Sequence, residues 1–132
     1  MNLLLDTHIA IWALEGNEEL SGKARYFILD PNNTIYYSAV SVWEVALKHS
    51  RKPDLIPFNE HDFSAYCKEA GYSLLNINEK HVLAVNTLSK PSKEHNDPFD
   101  RLLLAQAKVE NFSFMTHDEL IVTYQEKFIV DV

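Results

Sequence analysis

The chain has 132 residues, of which 46% are hydrophobic and 11% aromatic, a composition typical of a single domain over residues 1–132 with its own core. Its single cysteine excludes an intramolecular disulfide. Because no apolar run is longer than residues 9–14, we expect no membrane span, no signal peptide and a cytoplasmic location. The net charge of −7 argues against a broad basic face for nucleic acid. Two interpretations of the acidic charge stay open: carboxylates gathered around cations, or a solvated surface without chemistry.

Strands and helices alternate along the sequence. For the first half of the chain the pattern predicts a strand at residues 2–5, a helix opened by Asp6, a helix from Ser21 to about residue 29, a strand at residues 34–37, a helix that closes before Pro53 and a helix at residues 59–71. For the second half it predicts a strand at residues 72–77, a helix at residues 78–88, a surface loop at residues 89–96 and a helix at residues 98–110. A strand at residues 112–115, a short helical segment after Thr116 and a last strand at residues 127–130 complete the prediction. This alternation predicts parallel strands joined by right-handed crossovers. The expected fold class is therefore α/β, a three-layer α/β/α sandwich with a central, mainly parallel sheet.

The most informative stretch is a helix start that carries two acids. Asp97 is a good N-cap, Pro98 suits the first helical position, and Asp100 then lies in the first turn. Both carboxylates lie at the positive end of the helix dipole, which favours negative charge. We predict that Asp97 acts mainly as the cap and that Asp100 is the better candidate for direct chemistry.

Three more acids lie where a predicted strand or loop passes into a helix. They are Asp6 after the first strand, Glu44 in a capping box with Ser41, and Asp118 inside a capping box formed by Thr116 and Glu119. In an open parallel sheet such junctions share one edge, the carboxyl ends of the strands, where ligands bind. Acids are also favoured at helix starts for structural reasons alone, so each one by itself is compatible with simple capping. Convergence of all four acids on one site is the prediction that separates the two interpretations.

Converging carboxylates have a restricted chemistry. They require cations to remain ionised together, and an all-oxygen ligand set favours Mg²⁺ or Mn²⁺ over zinc. Such a site can generate hydroxide from bound water, orient it in line with a phosphodiester and stabilise the leaving oxygen. Thr7 and Thr116 are accessory candidates, because a hydroxyl beside these acids can orient a carboxylate or a water.

The aromatic and histidine residues carry weaker signals. The six histidines form no metal-binding pair on one helix face, so we predict that most are surface or packing residues. His8 and His117 are the exceptions, since they lie close to Asp6 and Asp118 in sequence. Trp12 and Trp43 are predicted to be core or interface anchors.

Four motifs carry a resemblance that covers nearly the whole chain: LLLDTH at residues 3–8, SAVSVWEVALK at residues 38–48, HNDPFDRLLLAQA at residues 95–107 and FMTHD at residues 114–118. With these motifs the chain resembles a PIN-domain ribonuclease, specifically a VapC-type toxin of a type II toxin–antitoxin pair. The resemblance implies that the catalytic, metal-binding acids are Asp6, Glu44, Asp100 and Asp118. It makes Asp97 an accessory acid and Thr116 a supporting hydroxyl. His8 stands where many members carry a small polar residue such as Asn.

The resemblance further implies Mg²⁺- or Mn²⁺-dependent endonucleolytic cleavage of RNA, homodimerisation through apolar helices and inhibition by a cognate antitoxin that blocks the site. Two alternatives stay open at this point. An aspartate-nucleophile phosphatase or phosphoacceptor domain also has an acid after its first strand, although the phosphatase signature has a second Asp where this chain has His8. A non-catalytic interaction module would use the same acids only to cap helices.

Overall fold

Five short strands form one sheet in which every pairing is parallel. The structure, a computed structural model, describes all residues, 1–132. The strands are β1 (Asn2–Leu5), β2 (Thr34–Ser38), β3 (Ser73–Leu75), β4 (Ser113–Thr116) and β5 (Ile129–Asp131), and they lie in the order β3-β2-β1-β4-β5. The predicted α/β class is confirmed, and the sheet is parallel throughout.

Seven α-helices connect or flank the strands. They are α1 (Thr7–Glu15), α2 (Gly22–Leu29), α3 (Ala39–Arg51), α4 (Glu60–Glu69), α5 (Glu79–Ala84), α6 (Pro98–Glu110) and α7 (Glu119–Val122). The helix predicted at residues 78–88 is shorter than expected, because α5 ends at Ala84 and the chain continues as the 3₁₀ turn Val85–Thr87. None of the seven has the length and hydropathy that a membrane-spanning helix needs.

The helices cover both faces of the sheet, which produces the three layers. Along β1, Leu3 and Leu5 contribute to one core with residues of α1, α2 and α4, whereas Leu4 contributes to a second core with residues of α6 and α7. This alternation follows from the two-residue period of a strand, and all three leucines are fully buried. Consecutive apolar residues are typical of a strand covered on both faces. The central strand is therefore packed on both faces up to Leu5, the residue directly before Asp6.

The start of α3 differs from the prediction. Ser38, the last residue of β2, is the N-cap, and its hydroxyl accepts a hydrogen bond from the backbone N–H of Val40 at 2.9 Å. The predicted capping box of Ser41 and Glu44 is therefore wrong, because both residues lie inside the helix and Glu44 belongs to its second turn. The strand passes into the helix without an intervening loop, so the helix begins earlier than the sequence signal indicated. The shift makes Ser41 and Glu44 available for contacts with neighbouring elements.

Candidate active site

The acids predicted to converge line one cleft at the carboxyl edge of the sheet. The cleft has a volume of about 260 Å³, and its lining residues are Asp6, His8, Trp12, Glu44, Lys48, Asp97, Asp100, His117 and Asp118. All four predicted principal acids and the accessory acid are among them. The accessory hydroxyls of Thr7 and Thr116 do not line the cleft but bond to its acids from below.

Asp6 follows β1 and caps α1. Its Oδ1 accepts a hydrogen bond from the backbone N–H of Thr7, and its Oδ2 accepts one from the Thr116 hydroxyl, both at 2.8 Å. Burial raises the pKa of Asp6 from its ordinary 3.8 to about 7. The bond from Thr116 opposes this rise in pKa, and the neighbouring charge of Glu44 adds to it. A carboxyl group at this position therefore binds a proton unless a cation replaces that proton.

Asp100 lies in the first turn of α6, where Asp97 is the cap as predicted. Asp97 Oδ1 accepts hydrogen bonds from the backbone N–H groups of Phe99 and Asp100, at 2.9 and 3.1 Å. Burial, followed by the repulsion of the nearby acids, with Asp6 first among them, raises the pKa of Asp100 to about 8. Asp100 thus has the same requirement for a counter-charge as Asp6.

Glu44 enters the cleft from the second turn of α3. Its Oε1 accepts a hydrogen bond from the Thr7 hydroxyl at 2.7 Å, and its Oε2 pairs with Lys48 one helical turn later. The Thr7 hydroxyl also lies 2.8 Å from that of Ser41, so the residue predicted to cap the helix instead supports the cleft. Burial alone would lower the pKa of Lys48, but the hydrogen bond to Glu44 raises it, so the ammonium stays charged. Lys48 is the one lysine or arginine that lines the cleft.

Asp118 is the N-cap of α7, which corrects the second predicted capping box. Its side chain accepts a hydrogen bond from the backbone N–H of Leu120 at 2.8 Å. Thr116 ends β4 instead of capping the helix, and its hydroxyl accepts from the backbone N–H of Asp118 at 3.0 Å while it donates to Asp6. Asp118 therefore has a capping role of its own besides its place in the cleft. Thr116 connects two of the acids across neighbouring strands.

His95 is the residue that sequence reasoning missed. It lies in the predicted surface loop, yet only 8% of it is exposed, and its Nε2 lies 3.0 Å from Asp100 Oδ2. Ligand atoms of His95, Asp100 and Asp118 all lie within 4.8 Å of one another. The signal was present in the sequence, because His95 is the first residue of the motif HNDPFDRLLLAQA.

Three aromatic rings form the rim of the cleft. Trp12 lies between His8 and His117, with ring centroids 6.0 and 5.8 Å apart and edge-on contacts. Trp12 packs against the core, as predicted, and also lines the cleft. Trp43 lies outside the cleft; it is about half exposed and packs on Phe99, with ring centroids 4.7 Å apart.

The donor set of the cleft fits a divalent cation. Five carboxyl groups line it against one lysine, and the elevated pKa values of Asp6 and Asp100 reflect burial and mutual repulsion. A bound cation of charge two would relieve both effects, since it supplies the missing positive charge inside the cluster. Carboxylate oxygens are the ligands that Mg²⁺ and Mn²⁺ prefer.

The sheet is parallel, and a carboxylate-lined cleft lies at its carboxyl edge. These two features define the class of the protein, an α/β domain with a candidate divalent-cation centre. Residues 3–127 match the PIN domain family, and the chain belongs to this family. The PIN-domain part of the resemblance found in the sequence is thereby confirmed. No curated protein matches the sequence.

Solved structures share the fold over the full length of the chain. VapBC2 from Rickettsia felis, bound to a DNA fragment from its promoter, has 15% sequence identity and a TM-score of 0.67, and the match covers 100% of this chain and 98% of the other. VapBC-1 from nontypeable Haemophilus influenzae has 20% identity and a TM-score of 0.66, with 99% and 98% covered. A toxin–antitoxin complex from Klebsiella pneumoniae has 18% identity and a TM-score of 0.61, with 98% and 99% covered.

Proposed function

We propose that this PIN domain is a Mg²⁺- or Mn²⁺-dependent endoribonuclease that hydrolyses RNA phosphodiesters. The observation that carries the proposal is the convergence of five carboxyl groups from separate parts of the chain in one cleft. Helix capping alone does not require this convergence, because a cap needs only the backbone of its own helix. The elevated pKa values of Asp6 and Asp100 also support the proposal, because they indicate that the ionised cluster is electrostatically unfavourable without a cation.

The proposed division of roles follows the hydrogen bonds. Asp6, Glu44, Asp100 and Asp118 are the catalytic acids that hold the metal. Bound Mg²⁺ or Mn²⁺ would supply a water of lowered pKa and neutralise charge on the leaving oxygen. Thr7 and Thr116 act as accessory residues that fix the orientation of Glu44 and Asp6. Asp97 acts as an accessory residue by fixing the start of α6.

RNA has to approach a cleft that is acidic before the metal binds. The bound cations would reverse the local field, and Lys48 is placed to contact a phosphate. The rim of Trp12, His8 and His117 offers flat surfaces on which unpaired bases can stack, an interaction that does not depend on phosphate charge. The proposed substrate is therefore single-stranded RNA.

We also propose that the protein is the toxin of a toxin–antitoxin pair. Support comes from the structures with the same fold, which are VapBC and toxin–antitoxin complexes. The expected partners are a cognate antitoxin that blocks the cleft and a second copy of the chain. Exposed apolar side chains on helices, such as Tyr26 and Leu29 on α2 and Val82 and Leu83 on α5, support a protein interface. The cytoplasm remains the proposed location.

A cleavage assay tests the enzymatic proposal. Labelled single-stranded RNA is incubated with the wild type while Mg²⁺ or Mn²⁺ is titrated, with EDTA and a DNA of the same sequence as controls. We expect metal-dependent cleavage of the RNA that Asp100→Asn abolishes and Asp62→Asn retains. Asp62 is a matched control because it lies in the first turn of α4, is exposed and does not line the cleft. Unchanged cleavage by Asp100→Asn would overturn the proposed role of Asp100. Absence of metal-dependent cleavage by the wild type would favour the non-catalytic alternative, in which the acids only cap helices.

A further inference from the structure

His95 uses both of its ring nitrogens inside the protein. Its Nδ1 lies 2.8 Å from the hydroxyl of Tyr124, and its Nε2 lies 3.0 Å from Asp100 Oδ2. Tyr124 is completely buried, and His95 is nearly so. His95 is also the one residue that hydrogen-bonds to the carboxylate of Asp100. A loop residue thus links the hydrophobic core to one of the proposed metal ligands.

Arg101 contacts the same phenol hydroxyl that His95 contacts. Its Nη1 lies 3.3 Å from the Tyr124 hydroxyl, and its Nη2 donates to the backbone carbonyl of Val85, also at 3.3 Å. A guanidinium group has only donors, so the phenol oxygen accepts from Arg101. The phenol proton has two acceptors within reach, His95 Nδ1 at 2.8 Å and the backbone carbonyl of His95 at 3.3 Å, and the shorter contact favours Nδ1. With the phenol proton directed at Nδ1 and Asp100 ionised beside a cation, Nε2 carries the imidazole proton and donates to Asp100.

We infer that His95 is a positioning residue that, held by Tyr124 and Arg101, turns the Asp100 carboxylate so that Oδ2 is fixed and Oδ1 is left for the cation. This inference rests on the proposed function, since it concerns the same cleft. A carboxylate that is already oriented loses less rotational freedom when a metal binds, and supporting hydrogen bonds of this kind alter metal affinity about 10- to 100-fold. Arg101, although adjacent to the acids, acts through Tyr124 and not on the substrate.

The opposite assignment, His95 as a direct ligand, has a different hydrogen-bond arrangement. Nε2 would have to lose its proton and its bond to Asp100, and Nδ1 would then donate to the Tyr124 oxygen. The phenol proton would turn to the backbone carbonyl of His95, which lies at the longer distance of 3.3 Å. The protonation of Nε2 in the metal-bound protein therefore distinguishes positioning from ligation.

Three substitutions test the inference. His95→Ala removes the donor, Tyr124→Phe removes only the hydroxyl, and His95→Gln restores an N–H donor near the place of Nε2. His61→Ala is the control, because His61 is highly exposed on α4, pairs only with Glu60 and does not line the cleft. Each variant is compared with the wild type by calorimetric titration with Mn²⁺, by kcat and KM for RNA, and by urea unfolding.

We expect His95→Ala to weaken Mn²⁺ binding at least tenfold and to lower kcat more than it raises KM. Tyr124→Phe should weaken Mn²⁺ binding less, and His95→Gln should recover it to within about threefold of the wild type. In the wild type with ¹⁵N-labelled histidine, Nε2 of His95 should stay protonated at saturating Mg²⁺. Wild-type Mn²⁺ affinity in folded His95→Ala would overturn the inference, since the residue would then be purely structural. Loss of the Nε2 proton on metal binding would overturn it in favour of ligation.

The outcomes separate this inference from the proposed function. If the wild type binds Mn²⁺ and His95→Ala binds it more weakly, the positioning role holds even where no RNA is cleaved. If RNA is cleaved but the Mn²⁺ affinity of both proteins is equal, the proposed function stands and the positioning role fails. Should His95→Ala not fold, Tyr124→Phe and the ¹⁵N measurement on the wild type decide the question alone.

Discussion

The buried charge of Asp6 provides the sharpest test, because Asn can replace its capping oxygen but not its charge. Asn caps helices about as well as Asp, so Asp6→Asn should keep the bond from the Thr7 N–H. Burial raises the pKa of Asp6 from 3.8 to about 7, so the folded state holds a proton that the unfolded state releases between these values. The metal-free wild type therefore loses stability as pH rises through this window.

The size of the effect follows from the same values. Above pH 7, a rise in pKa from 3.8 to about 7 lowers the free energy of unfolding by roughly 4 kcal/mol, because each pKa unit corresponds to about 1.4 kcal/mol. The new amide requires the Thr116 hydroxyl to turn and accept, which costs about 1 kcal/mol. In EDTA at pH 8 we expect Asp6→Asn to be more stable than the wild type by roughly 2–4 kcal/mol.

Urea unfolding at pH 5 and pH 8 measures this difference in the free energy of unfolding. At pH 5 the difference should fall to about 1 kcal/mol or less. At pH 8, saturating Mg²⁺ should stabilise the wild type and so reduce the difference between the two proteins. Asp62→Asn, at an exposed position, should show no such pH dependence. If Asp6→Asn is no more stable than the wild type at pH 8, the assignment of Asp6 to an unfavourable buried cluster is refuted.

Three further predictions concern other parts of the structure. Lys48→Met leaves the buried Glu44 without its cationic partner, so the free energy of unfolding in urea at pH 7 should fall by about 1–3 kcal/mol. Mg²⁺ should recover part of this loss of stability. Ser38→Ala removes the cap of α3 and the bond to Gln106, and should lower the free energy of unfolding in urea by about 1–3 kcal/mol. Burial raises the pKa of Cys67 to about 12, so mass spectrometry should find no alkylation by iodoacetamide at pH 8 until urea unfolds the chain.

The fold class could be predicted because its signals are local and repeated. An apolar strand followed by an amphipathic helix recurs along the chain, and only a parallel layered sheet connects such units compactly. The exact helix starts were less predictable, since Ser38 and Ser41 are both good caps in sequence. Packing of α3 directly onto the end of β2 selects Ser38, and that packing is a tertiary effect.

The convergence of the acids could be predicted from topology, but their supporting contacts could not. Junctions at one sheet edge come together in any parallel α/β fold, which is enough to place Asp6 near Asp118. His95 lies in a polar loop with no periodicity, and its partner Tyr124 is 29 residues away in sequence. The motif places His95 near the acids in sequence, but no local pattern shows that its ring is buried.

The hydrogen bond between Thr116 and Asp6 joins residues 110 positions apart, and this separation has a consequence for synthesis. Asp6 emerges from the ribosome before β4, which pairs with β1 and carries Thr116, 110 positions after Asp6. A nascent or prematurely terminated chain that lacks β4 contains most of the acids but cannot assemble the cleft. Any activity of the cleft is therefore withheld from incomplete translation products until β4 has been made.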